Sequence, residues 1–494
     1  MSSETTNLSR IAIRGGAFMG FSQAVKVGSQ FLSVILLARL LTPEDFGLVA
    51  SVGPIIVFIS LFQDLGLQQA LVQKDKLDNL QISDVFWAST AAGVICSIIV
   101  VLISPLVASF YSDPRLIAVT SASAIPLLIG SLCSIPLSIL NRNLRFRTLA
   151  TIEVISIAVG LITALASAII GMRYWSLLIS TSASSLTTLV ASWVSSRYTP
   201  MKPRFRMDRE IISFGAGLTG FNFLNFFSRN LDNVLIGKFH GSVELGYYDR
   251  AYKLMVFPLQ TISGPLSRIM IPILSRFQTN QVKFREIYLF SAQILCFVAV
   301  PGLASLVIIS DTFVDILFGE RWAPIAPVFF WLGLAGLLQP LGNSTGWVFI
   351  SLGRTKAMFY WGIYSSIVTV GSILVGLQGG SVGVASAYAL SSYLLKEPVL
   401  YFILGRKGPI FLADYWLIQG PLLASAGLSW FFVHFGFQEA LSLAGFPLIL
   451  MTLLTCYLLS LLSMLSHARG RKTLAKAIGM ILRSSIQPSS THPQ

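Results

Sequence analysis

Charge is what this chain has least of. Only 11% of its 494 residues are Asp, Glu, Lys or Arg, where soluble domains run to about a quarter. Against that, 54% are hydrophobic and the mean hydropathy is +0.74, which excludes an ordinary soluble chain. A helix crossing a bilayer needs about 20 mostly apolar residues, so fourteen crossings would use about 280 positions and leave no room for a large soluble domain. Cysteine is also sparse: Cys96, Cys133, Cys296 and Cys456 are widely spaced singles in apolar stretches, with no CxxC pair, and read as packing residues. His240, His434, His467 and His492 show no metal-ligand spacing, and the chain has neither a GxxxxGK[ST] phosphate loop nor a GxSxG elbow. These absences argue against a metal centre, ATP hydrolysis and a hydrolase nucleophile, and no cofactor is expected.

What is present is a series of apolar windows of span length. Six lie at 16–38, 46–63, 85–109, 116–139, 150–171 and 174–196; eight more lie at 211–236, 251–274, 287–309, 325–351, 357–377, 381–404, 415–434 and 441–463. Between the two sets runs a polar, basic stretch with Lys202, Arg204, Arg206 and Arg209 and two prolines, and the tail from Ser466 is basic, then rich in Ser and Pro. The polar start, Met1 to Arg14, precedes an apolar run too long and too interrupted for a cleavable signal peptide, so that run reads as a first membrane helix. With the N-terminus cytoplasmic, 24 of the 35 Lys and Arg fall on cytoplasmic segments, 7 on the opposite side and 4 within spans. Adding or removing one span would scramble that asymmetry. The expected fold is therefore an all-α polytopic membrane protein with about fourteen crossings and both termini cytoplasmic. The net charge of +14 is then a topology signal and not a nucleic-acid footprint.

An internal repeat follows from sliding the chain by 199 residues, which aligns Arg39-Leu-Leu-Thr-Pro-Glu-Asp-Phe-Gly47 with Lys238-Phe-His-Gly-Ser-Val-Glu-Leu-Gly246. Each segment places a cation at the end of a span, then an acid and a glycine. The same offset carries Gln23, Lys26, Gln30 and Ser33 onto Asn222, Asn225, Arg229 and Asp232; steps of 3, 4 and 3 put each set on one helical stripe. A weaker echo pairs Asn143–Thr148 with Ser351–Thr355. The organisation expected is two pseudo-symmetric six-helix lobes at 1–196 and 211–404, joined by a basic cytoplasmic linker at 197–210. Two additional transmembrane helices at 405–465 and a basic cytoplasmic tail at 466–494 complete it.

Polar stripes cannot face lipid cheaply, since each Lys, Arg or Asp at a helix centre costs roughly 2.5–3.5 kcal/mol. The eighth helix adds Lys253, Gln260, Ser263 and Ser267 with Arg268 beside them, and the second carries Gln63 and Asp64. Helices one, two, seven and eight are thus expected to line a cavity in which Lys26, Arg229, Lys253 and Arg268 outnumber Asp64 and Asp232. A basic cavity favours an anionic passenger. The alternative is structural: Arg229 and Asp232 neutralise each other at i, i+3, and Lys253 and Arg268 snorkel. Recurrence of the stripes in both halves favours the cavity. Glu153, with Ser156 and Thr163, and the pair Lys396-Glu397 join Asp64 and Asp232 as candidates for proton or ion coupling. Pro54, Pro126, Pro136, Pro258, Pro265, Pro272, Pro301 and Pro340 are expected to kink their helices, and Gly16 and Gly20 form a GxxxG. The longest outward segment, between the ninth and tenth spans, is about 15 residues and is expected to be a loop with Asp311, Asp315 and Glu320 solvated on it. So short a segment argues against a polysaccharide polymerase or ligase.

Several stretches also resemble a known family. Leu37-Ala-Arg-Leu-Leu-Thr-Pro-Glu-Asp-Phe-Gly47, Asp64-Leu-Gly-Leu-Gln-Gln-Ala70, Asn230-Leu-Asp-Asn-Val-Leu-Ile-Gly237 and Gly246-Tyr-Tyr-Asp-Arg-Ala-Tyr252 are similar to segments of the Wzx-type flippases. Those are polysaccharide transporters of the multidrug/oligosaccharidyl-lipid/polysaccharide exporter superfamily, and the likeness is greatest to the colanic-acid and succinoglycan exporter branch. The resemblance implies a flippase of the bacterial inner membrane that works by alternating access. Its passenger would be an undecaprenyl-pyrophosphate-linked oligosaccharide, carried to the periplasmic face for exopolysaccharide or lipopolysaccharide synthesis. A polymerase and a chain-length regulator are the implied partners. On that reading Lys26, Arg229 and Arg268, with Lys253, meet the pyrophosphate, while Gln23, Gln30, Asn222, Asn225 and Gln260 meet sugar hydroxyls. A drug or cation exporter of the same superfamily is the rival, but it should favour acids in its cavity.

Overall fold

A computed structural model describes residues 25–64, 78–203, 209–406, 408–440 and 444–486. The side chains of Asp64, of 209–225 and 227–229, of several positions in 260–268, of Ala440 and of 480–486 fall outside that description. The described secondary structure is helical throughout, as it has to be where no water is at hand to pair the backbone. The chain packs as two compact units, Met1–Asp249 and Arg250–Gln494.

The first unit holds α1 (25–40), α2 (Pro43–Asp64), α3 (Asn79–Tyr111), α4 (Arg115–Arg142), α5 (Phe146–Ile169), α6 (Trp175–Ser196) and the first part of α7 (Arg209–Ser275). The second holds the rest of α7, then α8 (Gln281–Ile308), the short α9 (Ser310–Phe318), α10 (Ile325–Ser351), α11 (Thr355–Gly376) and α12 (Gly380–Ser391). A π-helical turn over Ser392–Lys396 leads into α13 (Glu397–Arg406), followed by α14 (Leu412–Phe431), α15 (Gly445–Ser466) and α16 (Ala468–Ile486). Among the described residues ten helices are long and apolar enough to cross a membrane. The sequence windows 211–236 and 251–274 lie either side of a break in α7, and 357–377 and 381–404 lie on α11 and on α12 with α13.

The break in α7 falls at Gly241 (φ 83°, ψ −179°), between the two apolar windows as expected, because only a glycine adopts that backbone without strain. One local expectation changes. The segment after α8 is not a loop: it folds as α9 and a 3-10 turn at Glu320–Trp322, burying Phe313, Val314, Phe318 and Trp322. Asp311, Asp315 and Glu320 remain exposed on it.

Helix association within each unit rests on small residues and side-chain hydrogen bonds, as expected where lipid is as apolar as the core. A Cβ on Gly93 of α3 would strike the Ser131 side chain of α4. Thr188 of α6 donates to Ser156 Oγ of α5 at 2.8 Å. In the second unit Gln419 Nε2 donates to the Leu337 carbonyl at 2.8 Å, and Ser425 and Ser460 share a hydrogen bond of 2.8 Å. The outward surfaces carry exposed Leu102, Leu106, Ile162, Ile169 and Val375, a lipid-facing pattern.

The internal repeat has a structural counterpart inside the first unit. Thr42 caps α2 reciprocally: its backbone N donates to Asp45 Oδ2 at 2.9 Å and the Asp45 N to Thr42 Oγ1 at 3.3 Å, with Pro43 at the first helical position. Gly241 stands 199 residues after Thr42. Gly47 then packs on the backbone of Ser242, and Gly246 on that of Pro43. The pairs 47/242 and 246/43 exchange under the same 199-residue offset, so the two copies of the motif meet as in a two-fold interface.

The start of the basic linker is fixed to α3. Trp87 Nε1 donates to the Met201 carbonyl at 2.9 Å, the Met201 N donates to Ser83 Oγ at 3.0 Å, and Ser83 and Tyr198 share a hydrogen bond of 3.2 Å. Phe86 packs edge-on against both Trp193 and Tyr198 at 5.7 Å.

Candidate functional site

In the first unit the structure joins two residues that the sequence reading had given separate roles. Lys26 Nζ on α1 donates to Glu153 Oε1 on α5 at 2.8 Å. Their side chains remain 37% and 40% accessible, so the pair faces open space and is not sealed in a core. While it holds, the pair carries no net charge. Gln63 of α2 donates to the Leu127 carbonyl at 2.9 Å, a packing role. Gln30 is exposed. Asp232 on α7 accepts from the Tyr248 hydroxyl at 2.9 Å and from the Asn233 N at 2.8 Å.

In the second unit Glu397 opens α13 directly after the π-helical turn, which displaces it relative to a regular helix. It is 8% exposed, and its Oε2 accepts no hydrogen bond among the described residues. Gly342 of α10 makes room for it, since a Cβ there would lie 2.8 Å from Glu397 Oε1. Lys396 does not pair with it: the buried ammonium lies over the Tyr388 ring at 4.0 Å and 3.4 Å from Thr369 Oγ1. Tyr288, Tyr401 and Ser344 are buried, and Tyr288 and Ser344 share a hydrogen bond of 2.9 Å. An unpartnered buried carboxylate costs more than a paired one, and Glu397 stands out for that among the described residues.

Lys253 is exposed on α7. The side chains of Arg229, Arg268, Asn222, Asn225, Gln260 and Asp64, and all of Gln23, lie outside the described residues, as do Gly16 and Gly20.

Two ion clusters escaped the sequence reading. At the turn between α3 and α4, Arg115 bonds Asp113 Oδ2 and Glu44 Oε1, each at 2.7 Å, and Arg173 lies 3.5 Å from the buried Asp45. Hydrogen bonding from the Arg115 side chain holds the Asp113 carboxyl below the usual aspartate range. In the second unit Asp414, 1% exposed, accepts from Arg285 at 2.7 and 2.9 Å and from Arg469 at 3.2 Å. The only sequence signal for the latter was a lone acid at the head of an apolar window.

The architecture is that of a multi-pass helical membrane protein. The chain superposes on the lipid II flippase MurJ in its inward closed conformation with a TM-score of 0.71, covering 91% of this chain and 98% of that one at 13% identity. The profile of the Polysaccharide biosynthesis protein family matches residues 36–327, more than half of the chain, which therefore belongs to that family. It is 28% identical to the teichuronic acid biosynthesis protein TuaB of Bacillus subtilis, over 84% of this chain and 88% of that protein. It is 26% identical to the succinoglycan biosynthesis transport protein ExoT of Rhizobium meliloti, over 74% of each. The expected family resemblance is thus found, and the protein is a multi-pass protein of the bacterial inner membrane.

Proposed function

We propose that this protein carries an undecaprenyl-pyrophosphate-linked oligosaccharide from the cytoplasmic to the periplasmic face, where it enters exopolysaccharide or lipopolysaccharide synthesis. The observation that carries the reading is the coincidence of polysaccharide-transport relatives along most of the chain with a lipid-flippase fold. Fourteen crossings with both termini cytoplasmic, and six-helix lobes at 1–196 and 211–404 followed by two further helices, belong to the same proposal.

Lys26 and Arg229 hold the pyrophosphate, with Arg268 and Lys253 along its path; Gln23, Gln30, Asn222, Asn225 and Gln260 meet the sugars. The Lys26–Glu153 pair supports this, because an accessible ammonium that exchanges one carboxylate for a phosphate pays little desolvation on each cycle. Glu397, and with it Asp64, Glu153 and Asp232, are the groups through which an ion gradient would bias the two access states. A polymerase and a chain-length regulator would receive the product.

The experiment is extraction of lipid-linked intermediates from a deletion strain complemented with wild type, Lys26→Ala or Arg229→Ala. Complete, unpolymerised repeat units accumulating on the cytoplasmic face are expected in the deletion strain and in both variants, with Lys26→Arg restoring export. Periplasmic accumulation would move the defect to a polymerase step and overturn the reading. Full export by both alanine variants at normal expression would overturn the cationic site.

A further inference from the structure

A cavity of about 540 Å³ opens in the second unit where the start of α8, the turn at Pro409–Phe411 and the helix α16 meet. Its two kinds of wall differ in chemistry. One is apolar: Val282, Leu289 and Phe290 on α8, and Phe411 opposite. Val282 is 83% exposed, and this wall continues along α8 into its apolar span. The other wall is cationic, with Arg285, Arg469, Lys472 and Lys476.

The cations are only partly compensated. Asp414 serves Arg285 and Arg469 together, and Glu286 serves Lys476 at 3.1 Å. Lys472 is exposed and makes no ion pair among the described residues. Four cations thus face two carboxylates. The cavity is built, not incidental: Thr473 is buried and donates to Gln293 Oε1 at 2.8 Å, which pins α16 across the head of α8. α16 itself carries Arg469, Lys472 and Lys476 on one flank, with Leu474 and Ile478 on another that begins at Arg471, a basic amphipathic pattern suited to a membrane interface.

We propose that this cavity binds an anionic phospholipid of the cytoplasmic leaflet, with the phosphate on Lys472 and the neighbouring guanidinium groups and an acyl chain along Val282, Leu289 and Phe290. A soluble anion would use the cations and leave the apolar wall wet; a neutral lipid would use the wall and leave the surplus charge unmet. Only an anionic lipid satisfies both. The site is independent of which passenger the protein carries.

The test uses full-length protein purified in neutral detergent, titrated with phosphatidylglycerol, phosphatidylcholine or inorganic phosphate, and read by thermal stability and by lipid retained in native mass spectrometry. Phosphatidylglycerol should stabilise and be retained, and phosphatidylcholine and phosphate should not. Lys472→Gln should weaken retention about fivefold, since one cation near the surface is worth about 1 kcal/mol, while Lys356→Gln at another helix end leaves it unchanged. Equal effects of the two lipids, or a loss in Lys356→Gln but not in Lys472→Gln, would overturn the proposal. Inorganic phosphate matching or displacing phosphatidylglycerol would make this a soluble-anion site and overturn the lipid assignment.

Discussion

Adding one methyl group at Gly47 tests the paired glycine contact directly. A Cβ there would lie 2.5 Å from the carbonyl carbon of Ser242 and 3.0 Å from its Cα; on Gly246 it would lie 2.8 Å from the carbonyl carbon of Pro43 and 3.3 Å from the Gly47 N. Carbon atoms rest at about 3.5–4.0 Å, and the carbonyl oxygens of Ser242 and Pro43 lie nearer still, so the segments must separate by more than about 1 Å. The obstructing atoms are backbone and cannot rotate away. Overpacking of this kind costs about 1–3 kcal/mol, which should lower the apparent Tm of the purified protein by several degrees. Gly53→Ala, on the same helix with nothing within 4 Å, should hold or raise the Tm, because alanine is the better helix former by about 1 kcal/mol. The sharper test is the double variant. One separation relieves both overlaps, so Gly47→Ala with Gly246→Ala should fall short of the sum of the single effects by about 1 kcal/mol or more. A Gly47→Ala protein as stable as Gly53→Ala, or an additive double variant, would refute the reasoning.

Asp414→Asn leaves two guanidinium groups sharing a neutral amide around a carboxylate position that is 1% exposed; because the guanidinium groups are themselves 37% and 35% accessible, a loss of about 1–2 kcal/mol should appear as a lower Tm, and Arg285→Lys should be milder. Asp113, whose pKa is depressed by Arg115, contributes stability that is present above the ordinary aspartate value of about 4 and lost as the pH falls through its folded value. Asp113→Asn should therefore lower stability at neutral pH, where that contribution is fully present, flatten the acid limb of the stability curve and converge with wild type at low pH; an unchanged acid limb would contradict this. Glu397→Gln keeps the shape of a buried side chain and removes its charge, so fluorescence-detected size-exclusion profiles should match wild type while polymer export falls; wild-type export would remove Glu397 from the ion-coupling role.

The helices were legible because a bilayer imposes a length that composition alone reveals, and α2 to α6 fall on their apolar windows within a few residues. The family was legible for a related reason: Thr42, Pro43 and Asp45 form a capping motif whose spacing is local. What sequence could not supply was partnership across the fold. A stripe such as Gln23, Lys26 and Gln30 gives the face of a helix but not what stands opposite, and Glu153 lies 127 positions away from Lys26. Asp414 draws its partners from 129 and 55 positions away. The helix α9 escaped because nine residues give too short a window for periodicity to show against the apolar spans around it.

The fastening of Tyr198 and Met201 to Ser83 and Trp87 bears on mechanics. A connection read from sequence as a tether spanning 197–210 is, over its first seven positions, an extension of the first unit's framework. Removing the Trp87 indole would therefore take away a hydrogen bond that holds Met201 against α3, and the segment would follow that helix less closely.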